Sequence, residues 1–330
     1  MERTKLESNV SASRKFPSGP KDDVQRLSPQ QWALAGRALL CAASTYRSAS
    51  EASSQCGRIL KEVEGKHPDG SDFMMARVIR SEDGQFAGKC WVAFRGTASK
   101  EGWKANFNAM GKKEPFSEGH KVWVASSWKH CYRTLQSGLR EALLEAYKKG
   151  DCDPEQIYYT GHSLGGVLAN YAALDNLAGV DGHQAKATIT SGCPRPWYVT
   201  DKQCRNLEAA LPPSLRFVRY LASANEKFDL ITNLPPTLPG YAWMPRFRHC
   251  SRLNVGLWAV PAATAPSHCE NTAMDAEHCA IMSIVHGVTK LAENAPYGGL
   301  HQGDSALHDS EDYATIAEVD GTLQASLSKL

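Results

Sequence analysis

Residues 157–174, IYYTGHSLGGVLANYAAL, set a single serine between two glycines, with an apolar β-forming run before it and an apolar helical run after it. Ile157, Tyr158, Tyr159 and Thr160 are β-branched or aromatic, the types that suit a buried strand. Val167, Leu168, Tyr171, Ala172 and Leu174 recur at helical spacing, and Gly165, Gly166 and Ala169 let that helix lie close to a sheet. Between the two runs stands G-x-S-x-G. A sharp strand-to-helix turn forces its central serine, Ser163, into a strained backbone conformation, tolerated only where the flanking residues lack bulk. Gly161 and Gly165 meet that demand. A glycine-rich loop with an ordinary capping serine is the plainer alternative, and the strand-turn-helix context with the fuller GHSLGG weighs against it.

The surrounding segments repeat the alternation of strand and helix. An opening helix is expected from about Gln30 to Tyr46, with Trp32, Leu34, Leu39, Leu40 and Ala43 as its apolar face. Residues 72–96 read as a hairpin turning through the polar SEDGQ, with CWVAF apolar enough for a sheet centre. A long irregular stretch, Thr97 to about Trp128, precedes an amphipathic helix whose Leu135, Leu139, Ala142, Leu143, Ala146 and Tyr147 share one side and which Gly150 ends. Beyond the serine unit, AKATITSG (185–192) and LRFVRYLA (215–222) read as further strands. This order predicts an α/β fold with a mostly parallel central sheet, helices on both faces, and reactive groups gathered at the carboxyl ends of strands. One domain, 31–330, follows a flexible polar tail, 1–30.

Charge excludes some partners. The 37 basic and 35 acidic residues leave a net +2, so bulk charge points to neither nucleic acid nor an anionic membrane. Residues 1–30 contain no apolar run of the kind a signal peptide or anchor needs, and the longest apolar stretch, 253–265, is broken by Asn254 and Pro261. A soluble, cytoplasmic chain is therefore expected. Its ten cysteines include no C-x-x-C and no zinc-site spacing, so they are read as reduced thiols filling the core, with no metal and no cofactor. Nothing indicates an oligomeric state.

A serine hydroxyl is a poor nucleophile and needs a proton acceptor that a carboxylate orients; in this architecture the chain order is serine, acid, histidine. Asp229 is the best placed acid, just past LRFVRYLA, with Asp201, Glu226 and Asp275 weaker. Six histidines follow, His249, His268, His278, His286, His301 and His308, and position does not choose among them.

Several segments resemble the class 3 lipase family, the fungal lipase-like branch of the α/β-hydrolases. WVAFRGTAS (91–99) is similar to the family's strand and oxyanion stretch, IYYTGHSLGG to its elbow, and SGCPRP (191–196) to its F-G-x-P-R segment in altered form. FDLITNLPP (228–236) resembles D-x-V-x-x-L-P-P, which implies Asp229 as the triad acid. ALHDSEDYA (306–314) resembles the H-D-x-E-x-Y form of plant members, which implies His308 as the base, whereas His249 in FRHCSRLNV (247–255) falls in a late strand and is not the catalytic one.

The resemblance implies an acylglycerol-cleaving serine hydrolase. Ser163 would be its nucleophile, and the backbone N–H groups of Leu164 and Thr97 would meet the oxyanion. Residues 100–110 stand where the family carries a mobile lid; Trp103, Phe107 and Met110, at i, i+4, i+7, would share a helical face able to cover an acyl groove and to touch a lipid surface transiently. Leu238, Trp243 and Met244 are candidates for the groove's rim. The expected substrate is a lipid or other ester, the alternatives being a small-ester esterase, a phospholipase A1, or a catalytically silent module on the same fold.

Overall fold

The computed structural model describes residues 28–66, 73–97, 112–117, 120–179, 184–221, 227–235, 243–251, 253–259 and 303–304. Helix α1 (Pro29–Ser44) starts where proline can occupy a first turn and where Ser28 and Gln31 form a reciprocal capping box. It closes near the expected boundary. A second capping box, Ser48 with Glu51, starts the short α2 (Ala49–Cys56). Strand β1 (Arg58–Lys66) follows; with charged side chains along its length it sits at the edge of the sheet, antiparallel to β2 (Phe73–Arg80).

The expected hairpin is present: β2 pairs antiparallel with β3 (Cys90–Phe94), and SEDGQ forms the connection. From β3 the sheet becomes parallel. Strand β6 (Ile157–His162) lies beside β3, β7 (Ala187–Ser191) beside β6, and β9 (Ser214–Leu221) beside β7. Strand β12 (Leu253–Ala259) runs parallel to β9; the short β10 (Lys227–Asp229) pairs antiparallel with the end of β9 and parallel with β13 (Gly303–Asp304). Successive β3 side chains face opposite cores. Val92 joins the long helix α3 (Ser126–Lys148) and α4 (Leu164–Leu174) on one face, while Trp91 and Ala93 join α1 on the other. Burial on both faces is why CWVAF is apolar without alternation.

The stretch expected to be irregular, 97–128, is only partly so. It contains β4 (Lys113–Ser117), β5 (His120–Ala125) and the start of α3. With β8 (Trp197–Val199) and β11 (Arg246–Arg248) these strands build a second, antiparallel sheet in the order β11-β8-β5-β4. Phe116, Val122, Val124, Trp197, Val199 and Phe247 bury one side of it against the core, while Trp123 remains half-exposed. Lysines and Pro115 between the buried positions gave this segment its loop-like composition. FRHCSRLNV likewise does not form one strand: the chain turns at Cys250, whose φ is 52°, so its two ends belong to different sheets.

The reduced state expected of every cysteine is overturned at four positions. Cys90 is bonded to Cys152, joining the head of β3 to the turn beyond α3. Cys204, in α5 (Asp201–Ala210), is bonded to Cys250 beyond β11. Separations of 62 and 46 residues leave no local spacing pattern, and only the fold brings these partners together. Cys41, Cys56, Cys131 and Cys193 are buried thiols outside these two bonds, as expected of core residues. Cys269, Cys279 and residues 1–27 of the expected tail lie outside the described residues.

Candidate active site

Strand β6 delivers the chain to Ser163 at the carboxyl end of the sheet, and α4 leaves from it at once. Ser163 has φ 55° and ψ −128°, a conformation that disfavours any side chain. Two hydrogen bonds hold it there: its N–H donates to the Ser191 carbonyl at the end of β7 (3.0 Å), and its own carbonyl accepts from Gly166 N–H (3.0 Å). The turn also requires backbone contact without intervening side chains. A Cβ on Gly161 would run into the Gly165 carbonyl, and a Cβ on Gly165 into the Phe94 carbonyl of β3. Both flanking glycines are therefore demanded by close approach, as the sequence implied.

Past β3, Arg95 N–H continues the sheet pairing by donating to the Met75 carbonyl (2.9 Å). Gly96 then lies directly on the elbow, where a Cβ would meet the Tyr46 hydroxyl, the His162 carbonyl and Ser163 Cβ. Thr97, buried, comes next. The fold thus brings the Gly96–Thr97 backbone and the start of α4 to the same serine. Leu164 is the first residue of α4, where N–H groups have no intrahelical partner and the helix dipole favours negative charge. His162 is buried behind the turn with Nδ1 3.2 Å from the Tyr46 hydroxyl, a packing role and not an exposed base.

Asp229 is the last residue of β10, and its register partner in β13 is Asp304. The loop that leaves Asp229 is held from two sides. Arg195, in the SGCPRP segment, donates its N–H to the Leu234 carbonyl (2.6 Å) and Nη1 to the Pro235 carbonyl (2.9 Å), and His249 Nε2 lies 2.7 Å from the Thr232 carbonyl. Burial, with Arg216 and Arg195 alongside, holds His249 well below the usual histidine range. It is a neutral loop clamp at pH 7. His308 lies outside the described residues, as do His268, His278, His286 and His301, and Trp103, Phe107 and Met110 of the expected lid. Of the expected rim, Trp243 and Met244 are exposed and Leu238 lies outside the described residues.

Tyr46 is a contact that the sequence did not disclose. It is 116 residues from His162 in the chain, and no spacing or composition marks it. Among the described residues no group of three or more His, Cys, Asp or Glu side chains is placed to hold a metal ion, and no helix is long and apolar enough to cross a membrane.

Comparison with known proteins agrees with this fold. The family described as lipase (class 3) matches residues 91–238. A lipase of Rhizomucor miehei is 28% identical over 153 residues, 46% of this chain and 39% of the relative, so the chain spans well under two thirds of that protein's length. A Rhizomucor miehei triacylglyceride lipase structure superposes with a TM-score of 0.51 at 20% identity, covering 64% of this chain and 77% of the other. A variant of the Penicillium cyclopium protein MDLA does so with a TM-score of 0.51 at 18% identity, over 76% and 86%. At these identities the structural likeness establishes the α/β-hydrolase fold.

Proposed function

We propose that this chain, whose residues 91–238 match the class 3 lipase family, is a serine hydrolase that cleaves carboxylic esters of lipids through an acyl-enzyme. The observation that carries the reading is the strained turn: Ser163 at φ 55°, with the Gly96 backbone packed against its Cβ. A strained serine walled by glycines at a strand's carboxyl end is the arrangement that presents a hydroxyl as a nucleophile.

In the proposed reaction His308 takes the Ser163 proton as the hydroxyl attacks the ester carbonyl. Asp229 orients the imidazole and stabilises its charged form. The N–H groups of Leu164 and Thr97 receive the oxyanion; the alcohol leaves with the proton returned by His308, and water repeats the sequence to release the acid. Topology supports this pairing of acid and base. Asp229 closes β10, its partner Asp304 sits alongside in β13, and His308 follows four residues later. Four residues span at most about 14 Å, an upper limit that permits the proposed pairing.

Residues 100–110 are proposed as a lid whose Trp103, Phe107 and Met110 cover the acyl groove in water and meet a lipid surface when one is present.

Labelling with a fluorophosphonate probe tests the reading. Wild type is expected to be labelled at one serine and Ser163→Ala to lose the label together with on the order of 10⁶ in turnover. A folded protein that takes no label is a silent module and not a hydrolase. His308→Ala should abolish turnover while His286→Ala spares it; the reverse result moves the base to His286. Rates on esters of rising acyl length, below and above the concentration at which substrate forms an interface, separate a lipase from an esterase of small soluble esters.

A further inference from the structure

The Tyr46 hydroxyl accepts a hydrogen bond from Gly96 N–H at 3.0 Å and stands 3.2 Å from His162 Nδ1. Gly96 immediately precedes Thr97, and His162 immediately precedes Ser163 and Leu164. One oxygen therefore joins the two backbone segments that carry both proposed oxyanion donors. A phenol has one proton to give and lone pairs to accept with. With one lone pair engaged by Gly96, the hydroxyl still has its proton and a second lone pair for His162 Nδ1, the direction of that bond following the ring's tautomer.

Tyr46 is itself fixed in place. The Arg95 guanidinium lies over its ring, 5.7 Å from the centroid, and the His162 ring meets it edge-on at 6.0 Å. The backbone on either side is anchored by the buried Arg77, which donates to the carbonyls of Ser44 (2.6 Å) and Arg47 (2.9 Å) while its Nε pairs with Glu62 (2.6 Å). Further back, Thr160 Oγ1 of β6 donates to the Ala38 carbonyl within α1 (2.9 Å). The end of α1 is thus fastened to the central sheet on both sides of the tyrosine.

We infer that Tyr46 is a positioning residue for the oxyanion hole: its hydroxyl sets the spacing between the Thr97 and Leu164 N–H groups without touching substrate. This rests on the ester-hydrolase reading. Oxyanion donors act only when aimed, at about 2.7–3.1 Å, at the place the developing charge will occupy. A Gly96 amide without its acceptor leaves the 95–97 backbone free to drift from that aim. Because the ground-state ester does not yet carry the charge, the loss falls on kcat and not on KM.

Tyr46→Phe keeps the ring and its stacking and removes only the oxygen. The wild type and this variant are compared by kcat per fluorophosphonate-labelled Ser163, by KM, and by hydrogen exchange at the Gly96 amide. We expect kcat per labelled site to fall about tenfold or more with KM within about twofold, and Gly96 exchange to accelerate. A purely structural role would lower the labelled fraction and leave kcat per labelled site unchanged, and that result overturns the inference. If Tyr46→Phe fails to fold, slow Gly96 exchange in the wild type supports the tie and fast exchange overturns it. An unlabelled, inactive wild type overturns the ester-hydrolase reading and this inference with it; a labelled wild type with an unaltered variant overturns this inference alone.

Discussion

Ser163 holds a conformation that costs on the order of 1–3 kcal/mol, and its neighbours determine that cost is met. Gly161 faces the Gly165 carbonyl and the Gly166 nitrogen too closely for any side chain. Gly161→Ala is therefore expected to lose about 2 kcal/mol or more of unfolding free energy, read as a lower urea midpoint, and to slow probe labelling of Ser163 as the elbow shifts. An alanine variant with the wild-type midpoint would show that the turn has room to spare. This part of the site was legible because it is contiguous: strand former, glycine, serine, glycine and helix former all fall within 157–174. Tyr46 was not, since its partners Gly96 and His162 are distant in the chain and a tyrosine after a helix has no distinguishing pattern.

At the scale of elements, the segments with one strong period were readable and those with mixed faces were not. The α3 face of Leu135, Leu139, Ala142, Leu143 and Ala146 is buried as its spacing required. In β4 and β5 the lysines and Pro115 outweigh in composition the few apolar residues that actually pack, so the segment reads as a loop and folds as a sheet. The loop beyond Asp229 shows how one element depends on another, since Arg195 and His249 come from separate segments and hold its carbonyls. This gives a pH dependence. The His249 pKa is depressed in the folded chain, by burial first and then by Arg216 and Arg195, so the unfolded chain takes up the proton first as pH falls. The associated stability is complete above the unfolded histidine value of about 6.5 and is lost as pH drops below it. His249→Gln should flatten the decline in urea midpoint between about pH 7 and 5. Equal slopes for the two proteins would assign the acid sensitivity elsewhere.

For the molecule as a whole, two cross-links tie the periphery to the sheet, closing loops of 62 and 46 residues. Each is worth about 2–4 kcal/mol, so reductant should lower the unfolding midpoint of the folded protein. A cytoplasmic chain keeps such thiols reduced, which sets this pairing against the cytoplasmic placement expected from the sequence. Alkylation of the denatured protein is expected to spare Cys90, Cys152, Cys204 and Cys250 until reductant is added; modification of all four beforehand would mean the bonds do not form. By itself the sequence determined the elbow, the alternation of strand and helix, and the two-sided burial of the central strands, because those depend on residues adjacent along the chain. Tertiary structure alone decided which cysteines pair, that polar-looking segments form a second sheet, and that a tyrosine at the end of the first helix reaches the serine turn. Contacts between distant segments are selected by packing the whole chain, and no local pattern records them.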